Sequence, residues 1–262
     1  MAIPYLEYLP SLVISMARIY PCAFLVPAFC FQHVRGMPRH VIVMVLALLP
    51  APGVHAALMG QELTNLLIIG LVLKEIALGF LLGTLLSMPF WLFDGVGALL
   101  DNQRGALIGG QLNPSLGPDA TPIGHMLKQL SIFLLIVMLG LGVVTQVIWD
   151  SYLIWPPTVW LPVPAVNGFN VFLGLLGDTF THMTLYAAPF IALLLLIEFA
   201  IALLSLYSPQ LQVMVLSMPA KSLGGLAFLL LYLPVLQDLI VGRMSVLSEY
   251  KHALGLLFRV GT

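Results

Sequence analysis

The sequence predicts an all-α fold, a polytopic membrane protein of long helices and helical hairpins. Three observations lead there. Apolar residues make up 60% of the chain and charged residues only 8%, where a soluble domain carries about 25% charge. The mean hydropathy is +1.05. Uncharged runs at 40–61, 129–149, 179–197 and 199–220 each approach the roughly 20 residues that cross a bilayer as a helix. The formal net charge of −1 gives no global basic surface for nucleic acid.

About six long apolar segments are expected, near 11–32, 41–60, 65–93, 127–148, 183–206 and 222–241. The first follows Pro4, Glu7 and Pro10. It has neither a basic leader nor a small-residue cleavage site, so no cleaved signal peptide is expected. The two cysteines, Cys22 and Cys30, fall in this segment. Eight residues along one helix is about 12 Å of rise, too far for a disulfide, so both read as small buried apolar residues.

The third segment carries a small-residue stripe. Gly79, Gly83 and Ser87 recur every fourth residue with Glu75 leading the same face. Such stripes let two backbones approach closely, within one chain or between subunits. Lys74 and Glu75 are charges inside an apolar helix and need a partner or a wet cavity. Adjacent helical positions point about 100° apart, so each is expected to pair elsewhere, across a helix or subunit boundary. Glu198, alone in a long apolar stretch, poses the same problem.

Between segments three and four lies a polar loop, Asp101-Asn-Gln-Arg-Gly-Ala-Leu-Ile-Gly-Gly-Gln-Leu-Asn-Pro-Ser-Leu-Gly-Pro-Asp119. Irregular backbone at membrane depth is tolerated only where protein buries it or where it lines a wet cavity. The loop is therefore an extramembrane connector or part of a pore. On the pore reading, Arg104, Gly105, Gly109 and Gly110 shape it and Leu107, Ile108 and Leu112 form a dry constriction. Asp94 and Asp101, two turns apart, have two readings of their own: a proton path, or helix caps and solvent-facing charges.

Charge along the connections is contradictory. Arg35 and Arg39 mark 33–39 as cytoplasmic by the positive-inside rule, and 94–127 and 207–221 follow. The connection 150–182 has no Lys or Arg but carries Asp150 and Asp178. The same count places the tail outside, yet the tail holds Arg243, Lys251 and Arg259. Either one segment does not span, or the helices are held in a protein assembly. No internal repeat supports an inverted-repeat transporter.

Catalytic chemistry has little foothold. No His-Glu-x-x-His occurs, and no histidine has a second one three or four residues away, which removes the usual zinc spacings. Asn113-Pro-Ser-Leu-Gly117 lacks the first glycine of a Gly-x-Ser-x-Gly nucleophile turn, and no phosphate-cradling or dinucleotide fingerprint is present. No enzyme activity and no cofactor are expected. The remaining alternative from the residues alone is a proton-coupled transporter of a small solute, with Glu75, Asp94 or Glu198 as carrier.

An ordered set of short motifs then narrows the reading. They are Arg18-x-x-Pro21 with Pro27, Arg35-x-x-Pro38-Arg39, and Lys74-Glu75-x-x-x-Gly79-x-x-x-Gly83. Next come Pro89-Phe-Trp91, Asp101-Asn-Gln-Arg-Gly-Ala106, Leu112-Asn-Pro114 and Ala188-Pro189. Glu198, Ser208-Pro-Gln-Leu-Gln-Val213 and Met218-Pro-Ala-Lys-Ser222 complete the order. In this order the chain resembles, over nearly its whole length, the FliR/SctT/SpaR family of type III secretion export apparatus proteins. Its Asp-Asn-Gln-Arg-Gly-Ala string is similar to the injectisome branch. Two departures stand out: Ser205-Leu-Tyr-Ser208 lacks the family's arginine before the Pro-Gln pair, and Gly140-Leu-Gly142 replaces a Gly-Gly pair.

The resemblance implies a single export-gate domain over 1–262 and a non-enzymatic subunit of a hetero-oligomeric gate in the bacterial inner membrane. It implies assembly with two other small helical gate subunits, a switch protein and a large ring-forming export subunit. Unfolded secreted substrates would pass through the centre, membrane lipid would surround part of the assembly, and the polar loop would act as a plug.

Overall fold

The computed structural model describes residues 4–30, 34, 36–59, 65–105, 121–159, 165, 168–207 and 213–257. Every regular element among them is helical. In chain order these are α1 (Pro4–Leu25), α2 (Met37–Leu48), α3 (Ala51–Leu58), α4 (Asn65–Gln103), α5 (Pro122–Leu134), α6 (Gly142–Ile154), α7 (Gly168–Tyr207), α8 (Val213–Ser245) and α9 (Tyr250–Leu257).

Five helices among the described residues are long and apolar enough to cross a membrane. The α2–α3 pair, bent by 59°, makes six if counted as one span. Segment 41–60 is thus broken where the sequence reads Pro50-Ala-Pro52. Pro50 has no N–H to continue α2, and Pro52 sits at the start of α3. The first segment ends earlier than expected, at Leu25. A 3-10 turn, Pro27–Phe29, follows and leaves Cys30 at φ 53°, so the two cysteines do not share one helix. Both thiols are free, as expected, although only Cys22 is fully buried. Segment 127–148 is interrupted by a π turn, Leu135–Leu139, and by Gly140 at φ 76°. Glycine takes that backbone region without a Cβ clash.

The chain forms two compact units, Met1–Met88 with Leu135–Leu176 and Met244–Thr262, and Pro89–Leu134 with Gly177–Arg243. In the first, α1 and α4 run parallel. A Cβ on Gly79 would collide with the Arg18 carbonyl oxygen and press on Pro21, and one on Gly83 would meet Cys22 Cα at 3.0 Å. Ser87 Oγ donates to the Leu25 carbonyl at 3.0 Å. The small-residue stripe therefore faces α1. Ile14, Ile19, Leu71, Leu82 and Leu86 fill the core around it. Trp149 Nε1 on α6 donates to the Leu46 carbonyl on α2 at 3.1 Å.

In the second unit the core gathers on Phe90, Phe93 and Phe190, all buried. Phe190 meets Phe228 and Tyr232 edge-on at 5.2 and 5.1 Å between centroids, an arrangement aromatic quadrupoles favour. The α4 and α5 helices pack as a hairpin with Gly97 against Gly124, so close that a Cβ on Gly97 would lie 2.5 Å from Gly124 Cα.

Candidate functional site

Two polar clusters organise the apolar helices. The first lies in the first unit and is built around Arg18, a fully buried side chain on α1. Its Nε donates to Glu75 Oε2 on α4 at 2.5 Å. One terminal nitrogen donates to the carbonyl and hydroxyl of Ser151 at 2.8 and 3.1 Å, and the other to the Trp155 carbonyl at 2.8 Å. Those carbonyls lie at the C-terminal end of α6, where the helix dipole favours a cation; the Ser151 carbonyl also accepts the Trp155 N–H at 2.8 Å. Arg18 therefore caps α6 while pairing with α4. Its guanidinium also lies 4.2 Å from the centre of the Tyr152 ring, close enough for a cation–π contact. The Tyr152 hydroxyl donates to the Ser15 carbonyl at 2.6 Å, and burial raises its pKa.

Lys74 extends this cluster. Its ammonium donates to the carbonyls of Pro157 and Val159 at 2.8 and 2.9 Å, securing the segment that follows α6. It also stands 2.9 Å from Glu75 Oε1, an ion-pair contact without hydrogen-bond alignment. Glu75 has its partner Arg18 on another helix and Lys74 its carbonyls beyond α6, and in addition the two neighbours, whose helical positions point apart, meet each other. The lysine stem is long enough to fold back across the 100° between them. Glu75 thus sits between two cations of its own chain, one of them on another helix.

The second cluster pins both ends of the polar loop, within the second unit. Asp101, at the end of α4, is fully buried. Its Oδ1 accepts from Arg104 Nε at 2.9 Å. Its Oδ2 accepts from the backbone N–H of Ile123 at 2.8 Å and, at 3.4 Å, from that of Gly124. These are orphan donors at the start of α5, the kind an N-cap carboxylate satisfies. Nearby, Lys128 donates to Asp94 at 2.8 Å. Of the two readings of Asp94 and Asp101, the geometry supplies the cap and an ion pair. Gly105, in the turn that ends α4, takes φ 88° and donates its N–H to the Asn102 carbonyl at 3.1 Å, a backbone region open to a residue without a Cβ. Leu107, Ile108, Gly109, Gly110 and Leu112 lie outside the described residues.

Glu198 on α7 finds Lys221 on α8, with Nζ 2.6 Å from Oε2, and Lys221 reaches the Gln103 carbonyl at 3.4 Å. Further along the same pair of helices, Arg243 bridges Asp178 at 2.8 Å and the Tyr186 hydroxyl at 3.2 Å.

Sequence reasoning named Lys74, Glu75 and Glu198 but not Arg18, the partner of Glu75, or Lys221, the partner of Glu198. A signal existed for Arg18, since an arginine flanked by Ile14 and Ile19 obeys the same rule that singled out Glu75. None existed for Ser151 and Trp155, which contribute mainly backbone carbonyls.

Residues 9–246 match the family described as bacterial export proteins, family 1. The chain is 31% identical over 229 residues to the surface presentation of antigens protein SpaR of Salmonella typhimurium, covering 87% of this chain and 85% of that one. It is 32% identical over 232 residues to the Yop proteins translocation protein T of Yersinia pestis, covering 87% and 86%. The secretion system apparatus protein SsaT of Salmonella typhimurium is 29% identical over 167 residues, 63% of this chain and 64% of that one.

Proposed function

Because the chain belongs to the bacterial export proteins, family 1, we infer that it is a subunit of a type III secretion export gate of the virulence branch. It is a multi-pass membrane protein that helps to form and close the channel for unfolded secreted substrates. The observation that carries this reading is the near full-length match to relatives named for Yop translocation and for antigen presentation at the surface.

Physical properties of the helices support assembly with partners. The α7 helix has 40 residues, roughly 60 Å along its axis at 1.5 Å per residue. The hydrocarbon core is about 30 Å thick, and a 40° tilt lengthens the covered path only modestly. Yet large exposed apolar side chains extend from Phe169 through Phe180, Leu196 and Phe199 to Tyr207. Lipid alone does not cover that length, so protein covers the rest. The partners in this reading are the two other small helical gate subunits, the switch protein and the large ring-forming subunit, in the bacterial inner membrane. Helices supported by partners also need not follow the positive-inside rule one by one.

The subunit works without catalysis. Residues 104–117 close the channel at rest, with Gly105, Gly109 and Gly110 supplying unusual backbone angles and Leu107, Ile108 and Leu112 the dry constriction. The Asp101 cluster supports this role by fixing the base of the loop on two packed helices. The decisive experiment removes the chain from the bacterium and measures secreted proteins in the medium, then restores it. Loss and recovery of secretion, with co-purification of helical gate subunits, is the expected result. Normal secretion without the chain, or coupled solute flux by the chain alone in vesicles, overturns the reading in favour of a transporter.

A further inference from the structure

Resting on the reading that residues 104–117 close the channel, we propose that Lys221 on α8 is a positioning residue for that loop. It holds the last turn of α4, from which the loop departs, and Glu198 holds Lys221 in place. Every residue concerned belongs to the second unit. The Lys221 ammonium stands 2.6 Å from Glu198 Oε2 and 3.4 Å from the carbonyl of Gln103, the last residue of α4. Three positions earlier, on the same face of α8, the Met218 side chain lies beside Gly105, where a Cβ would come within 3.7 Å of it. The end of α4 thus meets α8 at two neighbouring side chains.

The distribution of burial argues against a pair that exists only to neutralise Glu198. The Glu198 side chain is 47% exposed and that of Lys221 11%, so the lysine, not the glutamate, has given up water. Lys221 lies eight residues into α8, about 12 Å from its start, in a stretch long and apolar enough to cross a membrane. A lysine stem can carry its ammonium out toward water, and a charge kept inside such a helix marks function by default. What the inward position gains is the end of α4, where the helix dipole favours a cation. On the α5 side the same turn is fixed by the buried Asp101 carboxylate. Lys221 supplies the fixing on the α8 side, so the direction in which the chain leaves α4 is set from two helices.

The charge-swapped variant, Glu198→Lys with Lys221→Glu, separates pairing from positioning. It keeps an ion pair between α7 and α8 but turns a carboxylate toward the Gln103 carbonyl. Hydrogen exchange is read on the full chain in mild detergent at the Arg104 and Gly105 amides, which donate to the Leu100 and Asn102 carbonyls within that turn. Resting ion conductance is read in bacteria at matched membrane levels of the chain. Exchange should quicken about fivefold in the swap, the effect of losing one cation from a helix C-terminus, and conductance should rise. Lys221→Arg should keep both near the wild type, and Lys251→Gln, in the first unit, should change neither. Lys221→Met takes the place of the swap if the swap fails to accumulate. Deletion of residues 106–117 tests the underlying reading separately. A deletion that leaks, beside a swap with unchanged exchange or unchanged conductance, overturns the role of Lys221 alone. A deletion that stays tight overturns the channel reading, and this proposal with it.

Discussion

Arg18 and Glu75 are 57 positions apart in sequence and meet at 2.5 Å with neither side chain exposed. The guanidinium spends its other donors on the end of α6, so a single arginine joins three helices. Removing one member of a buried pair leaves the other charge uncompensated.

Glu75→Ala should therefore destabilise the chain by about 3–5 kcal/mol and deplete it from the membrane before any export step is affected. Immunoblotting of membrane fractions measures this directly. The double substitution Arg18→Met with Glu75→Leu should recover much of the loss, because matched apolar residues replace a buried pair at small cost. A double variant no better than Glu75→Ala would show that the α6 cap, not the ion pair, dominates.

Gly79→Leu and Gly83→Leu should each separate α1 from α4, since even a Cβ at Gly79 runs into the Arg18 carbonyl. Overpacking ordinarily costs about 1–3 kcal/mol, and backbone contact places these at the upper end. Gly174→Leu on α7, where a Cβ meets nothing within 4 Å, is the matched control. Thermal unfolding in detergent should rank the control nearest the wild type, and similar losses in all three would contradict the close approach.

Asp101→Ala should release Arg104 and uncap α5 together. Loss of an N-cap alone costs about 1 kcal/mol, and hydrogen exchange should rise at Ile123 and Gly124 first. If the loop closes the channel, resting ion conductance should rise as well. Faster exchange with unchanged conductance would mean a connector, not a plug.

Glu198→Lys should repel Lys221, whose Nζ now stands 2.6 Å away. Glu198 is 47% exposed at its side chain, so solvent screens the pair and each reversal should be mild, under about 1 kcal/mol. The swap Glu198→Lys with Lys221→Glu should restore the level of assembled protein. Failure of the swap, with both single variants tolerated, would leave the pair without an assembly role.

Much of the helical architecture was legible because hydropathy alone reports it. The breaks were legible in part: Pro50 and Pro52 divide α2 from α3, and Gly140 follows the π turn, but hydropathy averages over both. The stripe of Gly79 and Gly83 announced a close approach without saying to what, because spacing on one helix carries no information about its neighbour. Lys74 and Glu75 were recognisable as charges in need of partners, whereas their meeting depended on side-chain reach. Asp101 was visible in a motif, and its hold on the Ile123 and Gly124 amides was not, since backbone donors leave no trace in residue type.

The Asp101 carboxylate also makes the sequence between its two anchors thermodynamically cheap to vary. With both ends tethered to one buried group, doubling the intervening length adds only about 0.6 kcal/mol of closure entropy, and the flanking helices keep their packing. Residues 106–120 can therefore vary in length and composition without refolding the helices on either side.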